Sequence, residues 1–169
     1  MNVVVTDTGP LLHLHQAGAA YLIASLGEIY MTPEVWSELQ RHAPSFRQTG
    51  VPSWLRLILP SSEAKQQAVE WLQAGLLDAG EAEALAHAKE ISADLFLSDD
   101  TAARTMGESL GLQVRGSLGV VLYLAAAGAL DQDKAIKVLD DLEHQSTLWM
   151  SAKVRSAARQ ALHKIFARE

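Results

Sequence analysis

Apolar positions along this chain follow two alternating rhythms. Val3 to Thr6 is a short β-branched run without polar alternation, the pattern of a strand buried on both faces of a parallel sheet. Four further runs are read as strands: EIYMT from Glu28, WLRLIL from Trp54, DLFLS from Asp94 and LQVRG from Leu112. Between them the spacing turns helical. Leu11, Leu12, Leu14, Tyr21, Leu22, Ile23 and Leu26 fill one or two short helices broken near Gly18 and stopped by Gly27. Thr32 and Pro33 supply an N-cap and a first-turn proline for a helix to about His42. Ser61 opens another, ending about Gly75, and Asp78 with Glu81 makes a capping-box start for GEAEALAHAKE. A helix runs from Asp99 and Asp100 to Gly111. SLGVVLYLAAAG begins a nearly all-apolar helix, which implies burial. Amphipathic helices over about 131–144 and 150–167 finish the chain. Residues 43–53, with two prolines, a glycine and mostly polar side chains, read as a surface loop.

Strands interleaved with helices predict an α/β fold, a parallel sheet of four or five strands between two helical layers, with a helical C-terminal extension. A chain of 169 residues, 49% hydrophobic, suits one domain over 1–169, with a core to 128 and C-terminal helices over 129–169. The chain has no cysteine, which excludes disulfides, a thiol nucleophile and sulfur-ligated zinc, and points to a reducing, cytoplasmic setting. MNVVVTDTGPLLHLH lacks a basic start, and Asp7 and Pro10 break its apolar run, so neither a signal peptide nor a membrane span is expected. The net charge is −6, although Lys153, Arg155, Arg159, Lys164 and Arg168 make the tail basic. An acidic body argues against a general nucleic-acid coat protein. Any nucleic acid must be admitted by metal ions or by a local basic strip such as that on the last helix.

Ligands of such sheets sit at the carboxyl ends of the strands, and Asp7, Asp99 and Asp100 each directly follow one. Glu38, Glu81 and Glu83 lie on intervening helices. Carboxylates gathered at one edge repel, and a cation offsets them. Mg²⁺ or Mn²⁺ with three or four such acids lowers the pKa of a bound water and neutralises phosphate charge, so no serine, cysteine or histidine nucleophile is required. Each acid also has a structural reading: Asp7 as a helix cap, Glu38 as a solvated acid, Glu81 as partner of Asp78, Glu83 as an exposed helix acid. Of Asp99 and Asp100, one can cap the next helix while the other faces the site. Residues two apart on a helix do not share a face, so at most one of Glu81 and Glu83 binds metal directly. Thr8 is a candidate to hydrogen-bond a ligating carboxylate, Ser117 to present a hydroxyl and amides to phosphate, and Arg104 to contact phosphate or form a local ion pair. His13, His15, His42, His87, His144 and His163 include no pair with zinc spacing and a third ligand.

In order and spacing, VVVTDTGPLL, TPEVWSEL, LDAGEAEALAHA, DLFLSDDTAAR and GLQVRGSLGVVL resemble the PIN-domain family, over residues 1 to about 128. The likeness is to its uncharacterised prokaryotic branch, similar to toxin ribonucleases. The resemblance implies a Mg²⁺- or Mn²⁺-dependent ribonuclease acting on RNA, often the toxin partnered by a small antitoxin protein, often a homodimer. By position it matches Asp7 to the first acid, Glu38 to the acid of the second helix and Asp99 or Asp100 to the last. The third acid is Glu81 by distance from DLFLS, or Glu83 by the acid before Ala-Leu-Ala. Asp7-Thr8-Gly9 also spells the aspartic-protease tripeptide, but those enzymes are built of strands and need two copies. A phosphatase forming an aspartyl phosphate wants an acid where Gly9 stands. The rival of a different class is a catalytically inactive PIN-like module that acts through a protein partner.

Overall fold

The computed structural model describes residues 2–167. Five strands form one parallel sheet: β1 (Val3–Thr6), β2 (Glu28–Met31), β3 (Leu55–Leu57), β4 (Leu95–Leu97) and β5 (Val114–Arg115), in the order β3-β2-β1-β4-β5. β1 is central because both its edges are paired, Val4 with Ile29 on one side and with Leu95 on the other. Its burial on both faces follows, with Val4 and Val5 inaccessible. Leu55 of the edge strand is buried, whereas Arg56 and Leu57 face solvent.

Successive strands step outward from β1 to β3 in one direction, and β4 and β5 then build in the other. The order therefore reverses between β1 and β4, where the loops leaving adjacent parallel strands diverge and open a crevice. Asp7 leaves one of these strands and Ser98-Asp99-Asp100 leaves the other. Asp7 N–H donates to Leu97 O at 2.9 Å, which fixes the two exits side by side.

Ten helices complete the chain among the described residues. Those that bear on the site are α1 (Thr8–Gln16), α3 (Pro33–His42), α6 (Ala79–Glu90), α7 (Thr101–Ser109) and α8 (Ser117–Ala126). The short α2 (Tyr21–Ala24) follows Gly18, whose φ of 67° breaks the first helical stretch. Residues 43–53 are not wholly a loop, since α4 (Ser45–Thr49) forms one turn after Pro44. Phe46 accounts for the difference: it is buried, with its ring 4.5 Å from that of His15 and edge-on to Trp36. α5 (Ser62–Gln73) packs along α6.

The apolar α8 is covered by α9 (Gln132–His144) and α10 (Ala152–Phe166), which also pack on each other. α10 inserts Ala158 and Leu162, and full burial of a leucine contributes about 1.5–3 kcal/mol. Two of its basic residues are engaged with α9: Arg155 pairs with Glu143 at 3.2 Å, and Arg159 with Asp140 at 2.7 Å and Glu143 at 2.9 Å. Of the basic strip read from the sequence, Arg155 and Arg159 thus belong to an inter-helix ion-pair network, and Arg168 lies outside the described residues. No helix among the described residues is long and apolar enough to cross a membrane.

Candidate active site

Asp7 is the N-cap of α1, and its Oδ1 accepts the Gly9 N–H at 3.0 Å. Capping aims the carboxylate back across the strand ends. Asp7 is 3% exposed. Burial pushes its pKa well above the usual carboxylate range; the hydroxyl of Ser98 lowers it, and the neighbouring charges of Asp99 and Glu81 raise it again. The buried Ser98 hydroxyl, which acts on Asp7, accepts the Asp100 N–H at 3.1 Å.

Glu38 comes from α3. Its Oε2 accepts from the Thr8 hydroxyl and its Oε1 accepts the Gly80 N–H at 3.0 Å, linking α3 to the starts of α1 and α6. A Cβ on Gly80 would lie 2.3 Å from Glu38 Oε2, so only glycine admits the carboxylate against the first turn of α6.

Glu81 sits in that turn and closes a capping box with Asp78, accepting its N–H on Oε2 at 2.9 Å. Its Oε1 accepts from no donor among the described residues. Burial raises its pKa; the Asp78 amide lowers it, and the charges of Asp100, Asp78 and Glu38 raise it further. Asp7, Thr8, Glu38, Asp78 and Glu81 line one cleft of about 430 Å³, with Arg41 and His42 on its rim.

Glu83 lies elsewhere. Its Oε1 accepts the Glu34 N–H at 3.0 Å at the start of α3. Thr32 occupies the N-cap position there, yet its buried hydroxyl makes no capping bond, correcting the cap read from sequence. Pro33 has no N–H, and the amide after it is satisfied by a carboxylate from another helix.

Asp99 is held by three protein donors. Ser117 gives its N–H to Oδ1 and its hydroxyl to Oδ2, both at 2.6 Å, and His13 Nδ1 lies 2.7 Å from Oδ2. An ionised carboxylate only accepts, so the imidazole nitrogen is the donor. Ser117 is fully buried and spends both donors on Asp99, leaving neither for a phosphate. A Cβ on Gly116 would lie 2.7 Å from Asp99 Oδ1, a second place where glycine lets backbone approach a site acid. Asp100 caps α7, accepting the Ala103 N–H at 2.8 Å. Arg104 Nη1 donates to the Asp99 carbonyl at 2.7 Å rather than to a carboxylate. Asp99, Asp100 and Arg104 line a second cleft of about 440 Å³.

The family model described as a PIN domain matches residues 3–164. The chain belongs to the PIN-domain family. PIN domains are generally nucleases and typically use divalent metals. No curated protein matches the chain significantly.

The donor set of this PIN domain suits a hard cation. It offers carboxylate oxygens, one of them on the buried Asp7, whose pKa burial and the charges of Asp99 and Glu81 raise. Among the described residues no three of the acids and histidines are grouped closely enough to hold an ion by themselves. Mg²⁺ needs no such cage, since it keeps several waters and takes one or two carboxylates directly.

Five site neighbours were not singled out from the sequence: His13, Arg41, His42, Asp78 and Ser98. Asp78 was legible as the cap of the acid-bearing helix, which must lie at the same end. His13 follows Gly9 by one helical turn, and a Cβ on Gly9 would lie 3.2 Å from that of Asp99, so that face of α1 meets the exit of β4.

Proposed function

We propose that this PIN domain is a Mg²⁺- or Mn²⁺-dependent endoribonuclease whose centre is the Asp7–Glu38–Glu81 cleft together with Asp99. The observation that carries this reading is Asp7, a buried carboxylate at the switch point of the sheet beside the like charges of Asp99 and Glu81. Asp7 and Glu81 would hold the cation, Glu81 through the oxygen that takes no protein donor. Glu38 and Asp99, both fixed by hydrogen bonds, are suited to holding its waters. When bound, the ion supplies an acidified water and neutralises charge on the phosphate. Ser98 and the Gly9 amide orient Asp7, Thr8 and Gly80 orient Glu38, and His13 with Ser117 orients Asp99. Arg41, on the rim of the cleft, offers a positive group to the approaching phosphate.

A second reading, a binding module without turnover, is favoured by one observation. Asp99 already accepts three donors, leaving little of its capacity for an ion or its water. One assay separates them: purified protein with Mg²⁺, Mn²⁺ or EDTA is offered varied single-stranded RNAs, with Asp7→Asn alongside. Metal-dependent cleavage that the variant loses supports the enzyme. Intact RNA under every condition, or equal cleavage by the variant, overturns it. A toxin role, with a small antitoxin protein as partner and a homodimer as the working form, rests on the resemblance of the sequence strings. It predicts growth arrest on expression that Asp7→Asn abolishes, and relief by a co-expressed genomic neighbour.

A further inference from the structure

The cleft beyond Asp99 contains a feature that metal chemistry does not use. Trp149, in its wall, is 83% exposed, more than any other large hydrophobic residue described. Its backbone is nevertheless pinned on both sides. Thr147 gives its N–H and its hydroxyl to Gln16 Oε1, at 2.8 and 3.1 Å, and Leu148 N–H donates to Ser146 Oγ at 3.2 Å. Leu148 and Met150 pack against the core, and Ser151 caps α10. Leu148 and Met150 turn inward while Trp149 stands outward on an anchored loop, so little conformational entropy remains to be lost when something covers it.

Across the same cleft stands Arg104, whose guanidinium pairs with no carboxylate among the described residues and keeps donors beyond its bond to the Asp99 carbonyl. The guanidinium also reaches the Thr101 hydroxyl at 3.5 Å, and with an aromatic face in the same cleft its remaining donors suit a nucleotide, the ring taking the base and the guanidinium its phosphate. Asp99 and Asp100 line this cleft too, and the charge of Asp99 is felt by Asp7 in the other. The two clefts therefore meet at the reactive edge.

We propose that Trp149 is a stacking platform for one unpaired base of single-stranded RNA, held next to the phosphate at the acids, with Arg104 contacting the adjoining phosphate. The inference rests on the ribonuclease reading of those acids and adds the residue that takes the base. A duplex keeps its bases stacked on one another and has none to offer.

The test measures binding of a labelled eight-nucleotide single-stranded RNA and of an RNA duplex in Ca²⁺, with the RNA checked intact afterwards. The proteins are wild type, Trp149→Ala, Trp149→Phe and Arg104→Ala. Loss of one base–aromatic stack weakens binding roughly 5- to 100-fold. Trp149→Ala is expected to show that loss for the single strand and none for the duplex, and Trp149→Phe to stay within about threefold of wild type. Arg104→Ala is expected to weaken both. Equal affinity of Trp149→Ala and wild type overturns the platform, as does equal loss on single strand and duplex or failure of phenylalanine to substitute. A change in self-association with RNA binding intact also overturns it and makes Trp149 a protein-docking anchor. Cleavage by wild type in Mn²⁺ is scored separately. If RNA is cut but Trp149 is irrelevant, the platform alone fails; if binding depends on Trp149 but nothing is cut, the ribonuclease reading alone fails.

Discussion

The acids at the sheet edge and the acids of the C-terminal helices are the same residue types in opposite electrostatic circumstances. Of the five acids on α9 and its cap, all but Asp133 have a basic partner: Asp131 with Lys134, Asp141 with Lys137, Glu143 with Arg155, Asp140 with Arg159. Hydrogen bonds and charge from Lys134 lower the pKa of Asp131, and the partners of Lys137 and Arg159 raise theirs. Around Asp7 and Glu81 burial and like charge instead push the carboxylates up. The contrast teaches that acidity along a chain does not mark a site, whereas acids left with one another do. The first region is finished as it stands, and on the proposed reading a cation completes the second.

The largest expected break in this contrast is Asp7→Asn. Removing one preorganised electrostatic group from a reacting centre typically costs about 10²–10³ in rate. RNA cleavage should fall at least about 100-fold while the fold persists, because asparagine can still accept the Gly9 amide; a circular dichroism spectrum checks the fold.

Next comes the pH dependence of the metal-free protein. Asp7 and Glu81 have folded-state pKa values raised above their unfolded ones. Between the two values the folded chain binds more protons, so stability is greatest below the unfolded value, near pH 4, and falls as pH rises through the raised folded values. Asp7→Asn should flatten that fall and melt above wild type at pH 7, by roughly 2–4 °C for each kcal/mol relieved. A wild-type melting temperature that climbs steadily from pH 4 to 7 in EDTA, with the variant parallel to it, contradicts this.

A smaller effect sharpens the comparison inside one helix. Glu83→Ala removes the acceptor that caps α3 and should cost about 0.5–2 kcal/mol of stability, with cleavage within about twofold of wild type. Glu81→Ala costs a similar amount through its own capping box but should also lose at least about tenfold in activity. Urea denaturation paired with initial rates distinguishes the two. The smallest effect belongs to the satisfied network, where Arg159→Ala should cost about 0.2–1 kcal/mol and leave cleavage unchanged, its partners being partly solvated.

Local pattern carried most of the fold and part of the site. The β-branched run ending at Asp7, DLFLS ending at Asp99, and Asp78 three residues before Glu81 each contain their own reading, since strand, exit and cap are written within a few residues. Contacts that span the chain are not written that way. His13 and Asp99 are 86 positions apart, Glu34 and Glu83 49 apart, and only the approach of α1 to the exit of β4 and the packing of α3 on α6 join them. The helix at 45–49 was hidden for a similar reason, because one buried phenylalanine outweighs a polar composition only where a pocket beside His15 and Trp36 exists.

The central claim, that the sheet-edge acids form a cation site, is tested most directly by thermal denaturation with and without Mn²⁺ in wild type, Asp7→Asn and Arg159→Ala. At a hundred times the dissociation constant, binding to the folded state alone stabilises by about 2.7 kcal/mol, or roughly 5–10 °C for a chain of this size. The account predicts that shift for wild type and Arg159→Ala, and a shift of no more than about 2 °C for Asp7→Asn. Equal shifts in all three proteins, or none in wild type, would contradict it.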